Sequence, residues 1–175
     1  MRGIASEAGV SVQSVHLAGP KVSLLLAAYE VALVGDEGAH SWLERPAMVE
    51  ILAMPDSGAA IAAFVDFVVQ SYVRAADIWG ALRAAADADP RVRAEVAAQD
   101  LRRQADLELG ADWMISRGLV TPEDRQTAAD VFGFLTWEQS YLYFVQTRGW
   151  SVERYGAWML DGINRMILGD AVDQG

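Results

Sequence analysis

Residues 61–82, IAAFVDFVVQSYVRAADIWGAL, carry the clearest structural signal in the chain. Apolar side chains in this segment recur at steps of three and four, which is the spacing of one face of an α-helix. The members of this face are Ile61, Phe64, Val68, Tyr72, Ala75, Trp79 and Leu82. Alternating β-branched runs bounded by turn residues are nearly absent from the rest of the chain. The sequence therefore predicts an all-α fold.

Start and stop signals predict two helices before this segment. A helix from about residue 21 to residue 34 ends at Gly35, where glycine can adopt the left-handed conformation of a helix end. Residues 36–46 are predicted to form a loop that ends at Pro46, and residues 46–54 a short helix that ends before Pro55.

Three more helices are predicted after it. Asp89-Pro90 is a cap followed by proline at the first helical position, and that helix extends to about Arg117. Thr121-Pro122, followed by two acidic residues, begins a helix that extends to about Thr147. Ser151 caps a last helix that reaches Leu168.

The composition limits the class of protein. The chain has 175 residues at 19.0 kDa, which suits one domain with at most a small appendage. With 53% hydrophobic and 22% charged residues it is unlike a disordered acidic tail, and charges interrupt every apolar run before the roughly 20 residues of a membrane span. There is no cysteine, and His16 and His40 lie too far apart for a zinc site. No signal peptide is recognisable, so we expect a soluble, cytoplasmic protein without a membrane partner.

Charge is distributed unevenly along the chain. The net charge is −10, from 14 basic and 24 acidic residues. Residues 1–34 hold two of each, so the whole excess belongs to residues 35–175. An acidic protein is a poor ligand for nucleic acid as a whole, since affinity for phosphates depends on a positive surface. The neutral N-terminal segment is therefore the part of the chain in which nucleic-acid binding stays possible.

Residues 3–21, GIASEAGVSVQSVHLAGPK, fit a helix-turn-helix. Ala5 is small enough for two helices to cross closely, Gly9 suits a left-handed turn, and Ser11 caps a second short helix with Val12 and Val15 inward. The capped helix start offers backbone N–H groups to a phosphate, and Gln13 can bind an adenine edge in the major groove. An ordinary pair of packed helices has the same spacing, so the spacing alone does not distinguish it from a DNA-binding helix-turn-helix.

Several segments resemble the TetR family of bacterial transcriptional repressors. They are IASEAGVSVQSVH at 4–16, GPK at 19–21, LLLAAYEVAL at 24–33, AADVFGFLTWEQSYLYF at 128–144, and RGWSVERYGAWMLDGINRMIL at 148–168. Together they span essentially the whole chain. The resemblance implies a DNA-binding domain over residues 1–34 and a ligand-binding and dimerisation domain over residues 35–175.

Within the first domain the resemblance assigns residues 2–8 to the positioning helix and residues 11–17 to the recognition helix. The DNA-contacting residues expected from it are Ser11, Val12, Gln13, Ser14, His16 and Lys21, the last two on the DNA backbone. The chain departs from the family pattern in two ways. His16 and Lys21 are five residues apart instead of six, with the usual phenylalanine missing, and the first family helix would precede residue 1. Either translation begins further upstream, which we favour, or the chain has lost competent DNA binding.

In the second domain the resemblance implies an effector cavity enclosed by helices between about residues 46 and 120. The expected lining residues are Phe64, Phe67, Tyr72, Trp79, Trp113, Phe134, Trp137, Glu138 and Tyr141. Aromatic walls with a few polar groups are typical of small-molecule pockets, but an aromatic face at helical spacing is also ordinary core. Glu138 could anchor a cationic or hydroxylated ligand or face solvent, and we favour solvent.

The last two helices are expected to form a homodimer interface. Its predicted residues are Phe132, Tyr143, Trp150, Trp158, Met159, Gly162, Ile163 and Met166, which offer more apolar surface than one 19 kDa bundle readily covers. Gly133, Gly156 and Gly162 would let helices approach closely across a two-fold axis. The alternative is that these residues pack only within one subunit.

Motifs of enzymes are missing from the sequence. There is no phosphate-binding glycine loop, no dinucleotide fingerprint and no nucleophile elbow. We therefore predict a non-enzymatic, ligand-responsive repressor without metal or cofactor, which acts as a homodimer on a palindromic operator DNA and is released by an unknown small-molecule effector. The alternative is a dimeric small-molecule-binding or protein-interaction module that does not bind DNA.

Overall fold

The computed structural model describes residues 1–35 and 41–169, and the fold of these residues is all-α, as predicted. No strand occurs among them. The helices are α1 (Arg2–Glu7), α2 (Val12–Ala18), α3 (Lys21–Val34), α4 (Pro46–Leu52), α5 (Ser57–Ala88), α6 (Pro90–Ser116), α7 (Arg125–Leu135), α8 (Glu138–Tyr141) and α9 (Val152–Ile163). Short 3₁₀ turns lie at Trp42–Glu44 and Pro122–Asp124, and π-helical segments follow α8 at Leu142–Thr147 and α9 at Asn164–Leu168.

The two N-terminal helices contact each other and are joined by a turn at Gly9, which has a φ of 65°. The hydroxyl of Ser11 accepts a hydrogen bond from the backbone N–H of Ser14 at 3.0 Å, so it is the predicted cap of α2. Ala5 and Val15 are the buried side chains of this pair. Val12 is 38% exposed, which differs from the inward orientation expected of it.

The long helix α5 forms the centre of the body. It packs against α3, α6 and α9, and its predicted apolar face is buried except at Phe64, which is partly buried. Helix α3 was assigned by sequence to the N-terminal domain, yet Tyr29 and Leu33 belong to the same core as α5. The predicted domain boundary at residue 34 therefore lies at the end of a helix that packs on the body.

Helix α5 is also, among the described helices, the one that is long and apolar enough to cross a membrane by length and composition. Its most apolar window holds no more than two charged residues, and charges such as Asp66 and Arg74 interrupt the apolar run, as the sequence predicts. Of that window 44% is buried inside the fold, and a core helix meets the same criteria.

Most predicted helix ends are confirmed. Gly35 ends α3 in the left-handed conformation, Pro46 begins α4, and Asp89 caps α6 by accepting a hydrogen bond from the N–H of Arg91. Ser151 caps α9 in the same way. The first part of the predicted loop 36–46, including His40, lies outside the described residues.

The helix predicted from residue 121 to residue 147 is broken instead. It stops at Leu135, Trp137 is extended, and α8 begins at Glu138. The carbonyls that the break exposes have side-chain partners. Arg103 Nη2 donates to the carbonyl oxygens of Gly133 at 2.8 Å and Thr136 at 2.7 Å, and the hydroxyl of Tyr72 also donates to the latter. Hydrogen bonds to these carbonyls stabilise the end of the helix, although no glycine or proline follows it in the sequence.

Candidate functional site: a cavity in the helical body

A cavity opens between α3, α4, α5, α6 and α7. The volume that the centres of water molecules can occupy in it is about 130 Å³. A single water needs about 10–15 Å³ when volume is measured in this way. The space therefore corresponds to roughly ten waters, or about 300 Å³ at ~30 Å³ per water, which is the lower end of the usual size of ligand pockets.

Most of the cavity wall is apolar. Phe64 on α5 and Phe132 on α7 contact each other with ring centroids 5.1 Å apart. Trp113 on α6 lies beside α4 and donates its indole N–H to the carbonyl of Leu52 at 3.1 Å. Other apolar lining residues are Leu33, Met48, Ile51, Ile61, Val68 and Met114.

Glu138 lies at the polar end of the cavity, where the break after α7 positions it. The hydroxyl of Tyr29 on α3 donates to Glu138 Oε1 at 3.3 Å. Burial raises the pKa of the Glu138 carboxyl, and the positive charge of Arg103 acts against this shift. Burial and the charge of Glu138 raise the pKa of Tyr29 above its usual range. Glu138 thus lines the cavity and is partly exposed, so it is not turned wholly to solvent as the sequence favoured.

The segment before α4 contributes Trp42, Leu43 and Arg45 to the cavity wall. The hydroxyl of Ser41 donates to one oxygen of Asp106 on α6, and the backbone N–H of Trp42 donates to the other at 3.1 Å. Arg45 is 6% exposed, and its burial lowers the pKa of the guanidinium, while the charges of Glu30 and Asp106 act against that shift.

Two buried polar atoms of the lining have no hydrogen-bond partner within the described residues. They are the indole nitrogen of Trp79, whose side chain is 3% exposed, and the side-chain oxygen of Gln99. A buried donor or acceptor without a partner costs about 1–3 kcal/mol. A molecule in the cavity could relieve this cost.

Five of the nine predicted ligand-binding residues line this cavity: Phe64, Tyr72, Trp79, Trp113 and Glu138. The other four do not. Phe67 packs edge-on against the ring of Trp42, and Tyr141 is buried against Tyr72 and Tyr155. Phe134 is 65% exposed on the outer face of α7, and Trp137, in the break after this helix, is 43% exposed.

Several lining residues were missed by the sequence analysis. Tyr29 was overlooked because α3 was assigned to the N-terminal domain. Gln99, Arg103 and Asp106 recur at steps of three and four on α6, which looks like a solvated helix face. The spacing shows that these three residues share one face of α6. It indicates a polar cavity wall only once α6 is known to pack on α5 and α7.

The predicted DNA-contacting residues are all exposed: Ser11, Val12, Gln13, Ser14, His16 and Lys21. They lie on α2 or at the helix starts around it. The hydroxyls of Ser11 and Ser14 are hydrogen-bonded to each other at 2.8 Å. Their contact with DNA stays a prediction.

The residues predicted for the dimer interface differ in how far they are buried within one chain. Phe132, Met159 and Ile163 are at most 8% exposed within one chain, so they form core. A Cβ on Gly162 would lie 2.9 Å from Leu135, and one on Gly133 would lie 2.8 Å from Leu107. These two glycines therefore allow close packing inside the chain, where the sequence analysis expected it between chains.

The remaining predicted interface residues differ in exposure. The rings of Trp150 and Trp158 pack against Phe144, with centroids 4.4 and 4.8 Å apart, and are partly buried. Tyr143 and Met166 are 53% and 60% exposed. Only these last two keep the accessibility that a partner would require.

Comparisons of the chain with known protein families, with curated proteins and with solved structures find no match. Within the described residues no group of three or more histidine, aspartate or glutamate side chains could hold a metal ion.

Proposed function

We propose that this chain is a ligand-responsive transcriptional regulator of the TetR type. In this proposal a cytoplasmic homodimer binds a roughly palindromic operator through α2 and its neighbours, and a small-molecule effector in the cavity releases it. The observation that carries the proposal is that one helix, α3, directly follows the N-terminal helices in the chain and lines the cavity with Tyr29 and Leu33.

Helix α3 offers a direct mechanical link. Lys21, its first residue, follows α2 after a two-residue turn, whereas Tyr29 and Leu33 line the cavity. At 1.5 Å per residue its 14 residues span about 21 Å. An effector that contacts Tyr29 would bind one position of α3 better than another, and the difference in affinity would shift the population of the N-terminal helices.

The chemistry of the cavity supports an effector site. Its walls combine a mostly apolar surface of aromatic and aliphatic side chains with polar and charged groups, and sites for small molecules combine the same two kinds of surface. The unpartnered atoms of Trp79 and Gln99 give such a molecule hydrogen bonds to satisfy. We further predict that the chain binds this molecule without transforming it, and without a metal or cofactor.

The dimer surface must be revised from the sequence prediction. Large apolar side chains are exposed at Phe134 on α7 and at Met166 on the π-helical segment after α9, and these two segments contact each other. Trp137 follows directly after α7 and is also exposed. We propose that Phe134, Trp137 and Met166 form the centre of the two-fold interface, since a helix-turn-helix protein needs two copies to span two half-sites.

The proposal is tested by fluorescence anisotropy with DNA from the gene's own promoter region, across a salt series. We expect binding that weakens steeply with salt and that random DNA does not match. Gln13→Ala should reduce the preference for the promoter sequence, while Lys21→Ala should weaken binding to all DNA alike. Equal loss of specificity in both variants would contradict the assigned roles.

The dimer is tested by light scattering after size-exclusion chromatography. Phe134→Glu should convert the dimer to a monomer, because a charge at the centre of an apolar interface is costly to bury. Tyr143→Glu, at a similarly exposed aromatic residue outside the proposed interface, is the control and should stay dimeric.

A second candidate function is a dimeric ligand-binding or protein-interaction module that does not bind DNA. The charge distribution favours it, since the first 34 residues carry no net positive charge and the whole chain carries −10. A folded dimer that fails to bind promoter DNA even at low salt would select this function over the regulator.

A further inference from the structure

The polar end of the cavity places one carboxylate among three aromatic rings. Tyr29, Tyr72, Trp79 and Glu138 line both the main cavity and a small adjoining void of about 10 Å³. They therefore form the wall between the two spaces. The rings of Tyr29 and Trp79 contact each other with centroids 5.3 Å apart.

The charge of Glu138 is not matched by a direct ion pair. Among the described residues no arginine or lysine nitrogen lies within 4.0 Å of its carboxylate oxygens. Arg103 is the nearby cation that acts on its pKa. However, Nη2 of Arg103 donates to the carbonyls of Gly133 and Thr136, at the negative end of the α7 dipole. The positive charge of Arg103 is thus directed towards the helix end.

We infer that the ligand of this cavity is an organic cation, such as an amine salt or quaternary ammonium ion with an apolar body, whose charge lies between Glu138 and the rings of Tyr29, Tyr72 and Trp79. This inference rests on the proposed function of the cavity as an effector site. A carboxylate attracts a cation most strongly where water is excluded. The faces of aromatic rings carry negative electrostatic potential and attract cations as well.

The rest of the cavity suits the body of such a molecule. Phe64, Phe132 and Ile61 provide an apolar surface next to the polar end. The cavity volume of about 300 Å³ is enough for a compact aromatic ammonium ion.

Two probes of the same shape test the inference: benzyltrimethylammonium and its neutral isostere neopentylbenzene, in which carbon replaces the nitrogen. Binding can be followed by tryptophan fluorescence, since Trp79 and Trp113 line the cavity. The wild-type chain should bind the cation at least about tenfold more tightly than the neutral probe, a difference of about 1.4 kcal/mol.

Glu138→Gln should abolish most of this preference, because the variant loses the charge that attracts the cation. The matched control is Glu153→Gln, which makes the same substitution at an exposed residue that does not line the cavity. It should keep the preference.

A pH series on the wild-type chain makes the test independent of any variant's folding. Because burial raises the pKa of Glu138, the preference for the cation should decline as the pH falls through that raised value. The titratable and charged groups around Glu138 are Tyr29, Tyr72, Tyr155, Arg103 and Asp100. Burial raises the pKa of these tyrosines, so they stay neutral in this range, and Asp100→Asn separates the contribution of Asp100.

Three results would overturn the inference. The first is a neutral probe that binds as tightly as the cation, and the second is an unchanged preference in Glu138→Gln. Either one leaves the proposed effector site intact. The third is that neither probe binds, and the proposed function is then judged separately by the titration with promoter DNA.

Discussion

The N-terminal helices and the helical body bury their apolar residues very differently. Helices α1 and α2 bury only Ala5 and Val15, while Ile4 is 39% exposed and Leu17 is 82% exposed. In the body α5 alone buries eleven residues, among them Leu82 at 0% exposure. The body is thus a packed bundle, and the N-terminal pair is a small unit attached through α3.

This difference separates two kinds of functional surface. The predicted DNA-contacting side chains lie on an exposed unit whose local structure depends on caps and turns. The candidate ligand-binding side chains lie in a wall whose geometry depends on core packing, because Tyr29, Tyr72 and Trp79 are each at most 4% exposed. We therefore expect substitutions to affect global stability in the body and local order in the N-terminal helices.

The largest contrast is expected between two leucines. Leu82→Ala removes a fully buried side chain and should lower the free energy of unfolding by about 2–5 kcal/mol. Leu17→Ala removes an exposed one and should change it by less than about 0.5 kcal/mol. Urea denaturation of both variants measures the difference. Similar losses in the two would show that the N-terminal helices are packed as firmly as the body.

A smaller contrast is expected between two serine caps. Ser151 accepts a hydrogen bond from the N–H of Arg154 at 3.2 Å, and Ser11 accepts one from the N–H of Ser14 at 3.0 Å. Ser151→Ala should lower global stability by about 0.5–2 kcal/mol, as cap removal usually does. Ser11→Ala should leave the global unfolding midpoint unchanged and speed amide exchange only within α2. Equal shifts of the midpoint would mean that both regions unfold as one unit.

The smallest effects are expected from two carboxylates of the body with opposite pKa shifts. Burial raises the pKa of Glu138, so its ionised form costs stability at neutral pH and the cost disappears as the pH falls through the raised value. Glu138→Gln should therefore raise the melting temperature at pH 7 and lose this advantage near pH 4.

Glu153 at the start of α9 is the control. Hydrogen bonds from its own backbone N–H and from Ser151 lower its pKa, so its ionised form stabilises the fold above the unfolded value. Glu153→Gln should lower the melting temperature at pH 7, and the loss should fade on acidification. The same sign of change in both variants would contradict the placement of Glu138 in the cavity wall.

Much of the fold follows from local sequence signals. The apolar face of α5 has the helical period, and the caps at Ser11, Asp89 and Ser151 are short-range hydrogen bonds between residues close in the chain. Gly35 ends α3 because it can adopt a positive φ. Signals of this kind depend only on neighbouring residues, so they can be recognised without the tertiary structure.

The candidate site depends on contacts between distant residues, and these were predicted less well. The break before Glu138 is held by Arg103 and Tyr72, which are 33 and 64 residues away from Thr136. The sequence has no glycine or proline at this break, so it predicts a continuous helix there. Gly162 was expected at an interface between chains, but the close approach that it allows is to Leu135 of its own chain. Sequence spacing indicates close packing without identifying the partner.

The claim that connects the two regions is that occupation of the cavity changes the affinity of the N-terminal helices for DNA. The most direct measurement is an anisotropy titration of the chain on its promoter DNA, with and without saturating benzyltrimethylammonium. We expect the bound cation to weaken DNA binding by about 5–150-fold, the usual range of such coupling, and Glu138→Gln to reduce this effect. An unchanged affinity for DNA, with the cation shown by fluorescence to occupy the cavity, would contradict this claim.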